Sequence, residues 1–586
     1  MTKEQQDVMR HSASHVMAAA VKQLMAEENV KVKFAIGPTI EDGFYYDFDL
    51  GERTLSEADF PKIEKKMKEI IKQNLKFSRE ELPIAEALKK VADQPYKIEL
   101  IEDLEKQGEK IVSFYKLGDP STGSGQVFED LCRGPHVAST KEIGSFKLMK
   151  VAGAYWRGSE KNKMLQRIYA TAFEAEKELE EYIKRMEEAE KRDHRKIGKE
   201  MDLFSFHQEA PGFAFWHPKG MVLRENLMKP YNILHKSEGY HLISTPILLA
   251  EELWHQSGHW DHYKDNMYFT KIDEKIYAIK PMNCPGSILI YNTHPHSYRE
   301  FPIKFGETGE VHRHEPSGTL HGLFRVRAFR QDDSHIFALE SQVEEEIKKV
   351  IILTLDFYKI FNFSDVDIEV STRPENSIGS DEIWEKSEAI MKKTLSDLNL
   401  KFKINEGDGA FYGPKIDFHI KDCIGRSWQC GTVQLDFSMP ERFDLKYVDK
   451  DGAFKRPVML HRTVLGSIQR FVGILIEHYA GAFPVWLAPV QAKILPVSDK
   501  FIDYAKEVQG RLVAEDIRVE LDDSAESLGK KIRNGEKEKT PYLLVIGEKE
   551  VAAKQVAVRK RQEGDLGAQN LDQFVEMIKK EIKEKI

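Results

Sequence analysis

Polar and apolar positions alternate most sharply between Phe305 and Phe337. Two strands are expected there, Lys304–His314 and Phe324–His335, joined by a loop that turns at Glu315-Pro316-Ser317-Gly318. In the second, the strand period of two places Arg325, Arg327, Phe329, Gln331, Asp333 and His335 on one face, and Phe324, Val326 and Ala328 on the other. A face with two guanidiniums, an aromatic ring, an amide, a carboxylate and an imidazole is ill suited to a dry core. It suits a floor for a charged, planar ligand; the plainer alternative is an exposed sheet face.

The same reading places elements along the rest of the chain. Val8, Met9, Val16, Met17, Ala20, Val21 and Leu24 predict a helix that carries His11 and His15 on one face. Gly43–Phe48 and Tyr96–Leu100 read as strands, and Asp130 to His136 as a turn-rich stretch, so the first module is expected to be α+β. From Ala172 to Lys199, Phe173, Leu179, Ile183 and Met186 recur at helical spacing amid charge, which predicts one long connecting helix. A mixed segment follows: a helix at Met221–Ser237, then a strand at His241–Leu249 whose Pro246 marks an edge or an interface, as a dimer contact would need. A turn and strand at Gly407–Phe418, strands at Trp428–Phe437 and Val458–Val464, and a helix at Gly466–Tyr479 complete it. Arg470 stands near the start of that helix, within reach of a ligand above the sheet. From about Trp486, strands (Gln491–Val497, Arg518–Leu521, Tyr542–Ile546, Gln555–Arg559) alternate with helices (Lys500–Glu515, Leu528–Lys539, Leu571–Ile586), which predicts a small α/β domain.

Composition narrows the class. The chain has 586 residues, 41% hydrophobic and 31% charged, which fits a soluble protein of several domains. It has no apolar run of about 18 residues, and its N-terminus lacks the apolar core of a signal peptide. Four cysteines, Cys132, Cys284, Cys423 and Cys430, form no paired framework and point to a reducing, cytoplasmic setting. A net charge of −9 argues against nucleic-acid binding over the whole surface, yet Lys530, Lys531, Arg533, Lys537, Lys539, Arg559, Lys560 and Arg561 give the last domain a local basic element. Glycine-rich phosphate and dinucleotide fingerprints are absent, which argues against a P-loop or Rossmann nucleotide site. His11 with His15, and Cys132 with His136, are pairs of equal separation. They serve a hydrolytic site, a structural metal site or neither, and residue types alone do not choose.

Several stretches together resemble a known family. FRVRAFRQDDSHIF (324–337) is similar to motif 2 of class II aminoacyl-tRNA synthetases and HRTVLGSIQRFVGILIEHYAG (461–481) to motif 3. With MNCPGS (282–287), GAFYGPKID (409–417) and WQCGTVQLDF (428–437), they resemble the threonyl-tRNA synthetase family over essentially the whole chain, including HSASH (11–15) and DLCRGPH (130–136). The resemblance implies an α+β multidomain protein. An α+β editing domain (1–172) and a linker helix (173–198) would precede a class II catalytic domain built on an antiparallel sheet (199–484) and an α/β anticodon-binding domain (485–586). Members often begin with a ubiquitin-like domain that is not expected here, whether the chain is naturally short or truncated.

The family's activity is implied with it: threonine and ATP give threonyl-adenylate, and the threonyl group passes to the 3′ end of threonine tRNA. Arg313, Arg325 and Arg470 would be catalytic. ATP would lie against Arg313, Glu315, Arg325, Phe329, Gln429, Thr432, Ser467 and Arg470, with Mg²⁺ accompanying it. Threonine would meet Met282, Gln331, Asp333, Tyr412 and Gln434, beside one Zn²⁺ per subunit held by Cys284, His335 and His461. Strict alternation puts Gln429 and Gln434 on opposite strand faces, so a bulge is expected between them. In the first domain His11, His15, Tyr46, Lys97, Asp130, Cys132 and His136 match the pocket that deacylates seryl-tRNA, which the family is thought to operate without metal. Glu550 and Arg559 match anticodon-reading positions; Ser524-Ala525-Glu526 departs from the usual pattern, which puts one base contact in doubt. A cytoplasmic homodimer without membrane contact is implied, its dimerisation resting on Met221–Pro246. The competing readings are a sister class II enzyme for proline or serine, and a synthetase-like RNA-binding regulator. The Cys/His/His set with Asp333 speaks against the first, and the retained Arg313 and Arg470 against the second.

Overall fold

The computed structural model describes residues 1–118, 128–422 and 425–585. Cys423 and the last residue of the expected terminal helix, Ile586, lie outside them. The chain forms two compact units, residues 1–187 and 188–586.

In the first unit, helix α1 (Lys3–Glu27) starts at Thr2, which caps it in a reciprocal bond with Gln5. Its buried side packs Met9, Val16 and Val21 into a core with Tyr46, Phe48 and Ile168. Strand β1 (Gly43–Asp49) and helix α2 (Phe60–Lys72) follow, then β2 (Phe77–Pro83), α3 (Pro95–Lys106), β3 (Ile111–Leu117), β4 (Phe128–Leu131), β5 (Ser145–Tyr155) and β6 (Met164–Phe173). β2, β3 and β4 make one antiparallel sheet, and β1, β6 and β5 the spine of another.

Two expectations fail in this part of the chain. Tyr96–Leu100 is not a strand but the first half of α3. Pro95 occupies its first turn, where a missing N–H costs nothing, and the buried Tyr96, Lys97 and Ile101 follow helical spacing. The expected single helix Ala172–Lys199 is also divided. Ala172 and Phe173 finish β6, α4 covers Glu176–Arg192, and a new helix α5 (His194–Glu200) starts where Asp193 leaves helical geometry and accepts from Arg195 N–H.

The second unit is organised by an eight-stranded sheet. Its elements follow in chain order: α6 (Pro218–Ser237), β7 (His241–Leu242), β8 (Leu248–Ala250), β9 (Tyr268–Ile272), β10 (Lys275–Ile279), α7 (Cys284–Tyr291), β11 (Ile303–His312), β12 (Ala328–Ala338), α8 (Val343–Lys359), β13 (Val366–Ser371), α9 (Asp381–Asp397), β14 (Lys403–Asn405), β15 (Lys415–Lys421), β16 (Ser427–Asp436), β17 (Val458–Thr463) and α10 (Ile468–His478). The sheet order is β7-β11-β12-β17-β16-β15-β13-β14, antiparallel except at its two ends. The predicted strand His241–Leu249 is split at Pro246, which cannot donate to a ladder. β7 stays at the sheet edge, while β8 joins β9 and β10 in a separate sheet.

Under the sheet, alternate residues of β12 enter the core with α6, α8 and α10. Asp332 is fully buried. It accepts the N–H groups of Val464 and Leu465 and faces Arg462, itself fully buried, at 3.9 Å. Arg462 also meets His235 at 2.6 Å and Tyr231 at 3.4 Å, both on α6.

The C-terminal part is a five-stranded sheet, β19-β18-β20-β21-β22, formed by β18 (Ala492–Pro496), β19 (Val519–Leu521), β20 (Tyr542–Ile546), β21 (Gln555–Lys560) and β22 (Gly564–Asn570). Helices α11 (Ile502–Ala514), α12 (Leu528–Lys537), α13 (Glu548–Ala553) and α14 (Leu571–Glu584) accompany it. The four predicted strands are present. β22 and α13 were not anticipated, because their sequences are polar and short.

Replacing Asp332 by Ala should destabilise the second unit by about 3–5 kcal/mol, since Arg462 would stay buried without its carboxylate. The denaturation midpoint of this unit, followed by tryptophan fluorescence, measures it.

Candidate functional site

The floor of the site is the upper face of β12. Phe329, Gln331, Asp333 and His335 lie along it as expected. The strand itself starts only at Ala328, because residues 321–325 close into a turn in which Phe324 N and Arg325 N both return to His321 O. Arg325 reaches the same cavity from that turn. Arg327 does not: its guanidinium donates to the carbonyls of Glu315 and Pro211 and is removed from the face that alternation gave it.

Two adjoining cavities open above the floor. The larger, about 190 Å³, is lined by Arg313, Glu315, Arg325, Phe329, Gln331, Gln429, Thr432, Gln434, Ser467 and Arg470 among others. The smaller, about 90 Å³, is lined by Met282, Cys284, Arg313, Gln331, Asp333, Tyr412, Thr432, Gln434 and His461 with their neighbours. The expected bulge is present: β15 and β16 slip register so that Phe418 faces Gly431 and His419 faces Gln429, which leaves Cys430 as the extra residue. It brings Gln429 and Gln434 to the same cavity. Gln331 Oε1 and Thr432 Oγ1 are buried here without a hydrogen-bond partner among the described residues, as a site built to take its partner from a ligand would leave them.

The larger cavity is strongly electropositive. Arg470 sits on the first turn of α10, where Ser467 caps the helix, and donates to Phe324 O and Gln429 O. Burial pulls its pKa down, and Arg325 and Arg313 push the same way. Arg313 stands 5.1 Å from the Phe329 ring. Three guanidiniums with one nearby carboxylate, Glu315, suit a polyphosphate beside a planar ring.

In the smaller cavity Cys284, His335 and His461 converge with their ligand atoms within 4.8 Å of one another, all buried. His335 and His461 are cross-strand partners of β12 and β17, and Cys284 opens α7. Neither ring nitrogen of His335 has a hydrogen-bond partner among the described residues, the nearest carboxylate being Asp333 at 3.7 Å, and burial drives its pKa well below the usual imidazole value. His461 Nε2 meets Asp436 Oδ2 at 2.9 Å, the kind of outer contact that orients a metal-bound imidazole. A thiol and two imidazoles, one with no hydrogen bond of its own, fit Zn²⁺ with an open position. Beside them burial raises Asp333 to about 6; Asn283 donates to it at 3.2 Å, and Tyr412 O–H donates to Gln434.

Three groups here have no role assigned from the sequence, although the first two lie within the MNCPGS and WQCGTVQLDF motifs. Asn283, which orients Asp333, is one. Asp436 is another. His259 is the third, fully buried with Nε2 2.9 Å from Met282 Sδ and 3.8 Å from Cys284 Sγ. Each comes from an element remote from its partner, and only the folded sheet joins them.

The first unit holds a second cluster. His11 and His15 on α1, with Cys132 and His136 after β4, place their ligand atoms within 4.8 Å. Cys132 Sγ lies 3.3 Å from His11 Nε2 and 3.2 Å from His136 Nε2. Ser12 donates to Val8 O, so its oxygen accepts at 3.1 Å from His136 Nδ1, which carries the ring proton. The Pro135 backbone lies beside His11 and favours its protonated form. Nε2 of His136 thus faces the thiol without a proton of its own. Burial raises Cys132 to about 11 and lowers His136 to about 3; it also lowers His11 and takes His15 far down. At neutral pH the cluster is uncharged, a setting for water and proton exchange and not for a thiolate nucleophile. Lys97, Tyr46 and Asp130 are likewise together: Asp130 accepts from Tyr46 O–H and from Lys97 at 2.5 Å.

The two positions expected to read an anticodon are less open. Glu550 accepts from Gly547 N–H at 2.9 Å and so caps α13. Arg559 lies at a bulge of β21, 4.0 Å from Asp565. Ser524 bonds Asp522, and Glu526 bonds Lys530.

Comparison with known proteins agrees with this geometry. Residues 268–479 match the tRNA synthetase class II core domain (G, H, P, S and T), residues 491–581 an anticodon binding domain, and residues 112–169 the threonyl and alanyl tRNA synthetase second additional domain. A threonine–tRNA ligase of Clostridium tetani is 58% identical over 585 residues, 100% of this chain and 89% of the relative. One of Clostridium acetobutylicum is 57% identical, over 99% of this chain and 88% of the relative. The crystal structure of the RNA binding domain of threonyl-tRNA synthetase from Cryptosporidium parvum superposes with a TM-score of 0.64 at 39% identity, covering 66% of this chain and 98% of that one.

Alkylation of Cys132 by iodoacetamide should increase about tenfold per pH unit from about pH 7 to pH 10 without a plateau near the free-thiol pKa. Mass spectrometry of the Cys132 peptide follows it, and a plateau near about pH 8.5 would mean an ordinary thiol.

Proposed function

The chain belongs to the threonine–tRNA ligase family of class II aminoacyl-tRNA synthetases, and from that premise we propose how its residues divide the labour. The family fixes the activity: ATP-dependent charging of tRNA with threonine, with an editing domain beside the catalytic one.

ATP occupies the larger cavity. Its adenine lies on Phe329 with Glu315 at the base edge, and Arg313, Arg325 and Arg470 hold the phosphates, with Mg²⁺ accompanying them. The observation that carries this is the arginine cluster itself, three cations drawn together at one cavity with a single carboxylate to offset them. The threonine carboxylate attacks the α-phosphorus. One P–O bond forms, the bond to diphosphate breaks, and the leaving charge falls among the guanidiniums. No protein nucleophile is required: the enzyme orients the two substrates and stabilises developing charge.

Threonine occupies the smaller cavity. Cys284, His335 and His461 would hold Zn²⁺, which when bound supplies an open position for the amino and hydroxyl groups. Asp333 accepts the hydroxyl's hydrogen bond, positioned by Asn283, while Gln331, Tyr412, Gln434 and Met282 line the pocket. Valine leaves these polar groups without a partner, which is strong discrimination. Serine lacks only a methyl, worth on the order of 1–3 kcal/mol, so a second site must remove it. The neutral Cys132/His11/His15/His136 cluster, with Lys97, Tyr46 and Asp130, supports hydrolysis of seryl-tRNA there.

Glu550 and Arg559 are proposed to meet the anticodon; Glu550 would have to do so with the oxygen that does not cap α13. A homodimer is proposed across β7 and its surroundings, where Ile233, Leu242, Ile247 and Phe269 are exposed and the sheet edge is open. A cytoplasmic location is proposed from the family and the isolated thiols. No helix among the described residues is long and apolar enough to cross a membrane.

ATP–diphosphate exchange with each amino acid in turn, combined with metal analysis, tests the charging assignment. Threonine should give the highest kcat/KM with about one zinc per chain, and Cys284→Ala should lose both metal and exchange. In contrast, Cys132→Ala and His11→Ala should leave threonine exchange unchanged while seryl-tRNA accumulates. Serine clearance that persists in both variants would remove the editing assignment.

A further inference from the structure

One buried imidazole has no part in either site. His194, the first residue of α5, is fully buried, and both its nitrogens are committed. Nε2 accepts the N–H of Leu323 at 2.9 Å. The proton must therefore sit on Nδ1, which donates to Glu477 Oε1 at 2.8 Å. Asp193, His194 and Glu477 place ligand atoms near one another, but a ring with both nitrogens bonded has no lone pair left for a cation.

The contact falls on the turn that closes the larger cavity. Leu323 belongs to the 321–325 turn, where His321 N also meets Arg325 O at 3.1 Å. The turn is fitted to the imidazole: Gly322 has φ +47, and a Cβ there would stand 2.2 Å from His194 Nε2. The His194 ring packs 4.3 Å from that of Phe324, which in turn meets Trp428 at 4.5 Å. The next carbonyl, Phe324 O, accepts Arg470 Nε at 3.0 Å. Both ends of α10 therefore grip the same turn. Arg470 holds it directly from the first turn of the helix, and Glu477 holds it through His194 from the last. Phe324, Arg325 and Val326, which leave this turn, line the larger cavity; none of them lines the smaller one.

We propose that His194 is a positioning residue for the nucleotide subsite, setting the 321–325 turn so that Arg325 and the Phe324 wall meet ATP, with no part in threonine recognition. This rests on the larger cavity being the ATP site. A neutral imidazole that accepts at one nitrogen and donates at the other has a near substitute in glutamine, whose amide does both, whereas alanine does neither.

The test is steady-state ATP–diphosphate exchange on the full-length holoenzyme. His194→Ala should raise KM for ATP about tenfold, as loss of one or two buried hydrogen bonds would, with KM for threonine unchanged. His194→Gln should recover most of the loss. Gly322→Ala, which drives a methyl against the same imidazole from the turn, should reproduce the ATP-selective effect even where His194→Ala folds poorly. Equal changes in both KM values, no rescue by glutamine, or a silent Gly322→Ala would overturn the proposal. Arg470→Ala is the control for the underlying reading. If it leaves KM for ATP unchanged, the ATP assignment of the cavity fails; if it raises that KM while the His194 and Gly322 variants do not, only the role of His194 fails.

Discussion

The catalytic half of this protein depends on the register in which β12 lies between β11 and β17. His335 faces His461 across one ladder, and two residues earlier Asp333 takes its place over the same cavity. A slip of one residue would turn the whole ligand-binding row into the core and bring Asp332 and Ser334 to the surface. What resists that slip lies on the buried side. Asp332 accepts two backbone N–H groups from the segment after β17 and stands opposite Arg462, whose neighbours on α6 are His235 and Tyr231. The polar network below the sheet ties β12 to the segment after β17 and to α6, and the site above shares that alignment. A buried pair of this kind adds little stability over an apolar core; the alignment it holds is the one the site above requires.

The two sites handle charge in opposite ways. At the larger cavity, Arg313, Arg325 and Arg470 gather positive charge beside Glu315, the one carboxylate lining it among the described residues, and repel one another there. In the first unit, burial pushes the imidazoles and the Cys132 thiol toward their neutral forms, and Lys97 pairs with Asp130 beside them. Joining two substrates at phosphorus needs fields aimed at developing charge. Hydrolysing an ester that has already formed needs an oriented water and a place for a proton.

Residues without a direct contact to substrate shape both sites. Ser12 fixes which nitrogen of His136 bears the proton, Asn283 orients Asp333, and the bulge at Cys430 brings Gln429 round to the cavity that Gln434 already lines. Each is a small local choice with a consequence one contact further on.

Much of this was legible in the chain itself. Alternation along 329–335 found the floor of the cavity, the i, i+4 spacing of His11 and His15 put them on one helical face, the family motifs implied Cys284, His335 and His461 as the candidate metal-ligating set, and alternation between Gln429 and Gln434 demanded a bulge. Periodicity failed where windows were short or where a breaker ruled. Tyr96–Leu100 satisfies two periods until Pro95 starts a helix, Pro246 splits a strand, and Asp193 divides the connector. It failed again at Arg327, because residues 321–325 close on themselves before the ladder begins. Tertiary structure alone decided that Cys284, His335 and His461 converge, that His259 and Asp436 stand beside them, and that His194 grips a turn 129 residues away. Local sequence fixes which face a side chain takes; which distant face it meets is set by the packing of the whole sheet.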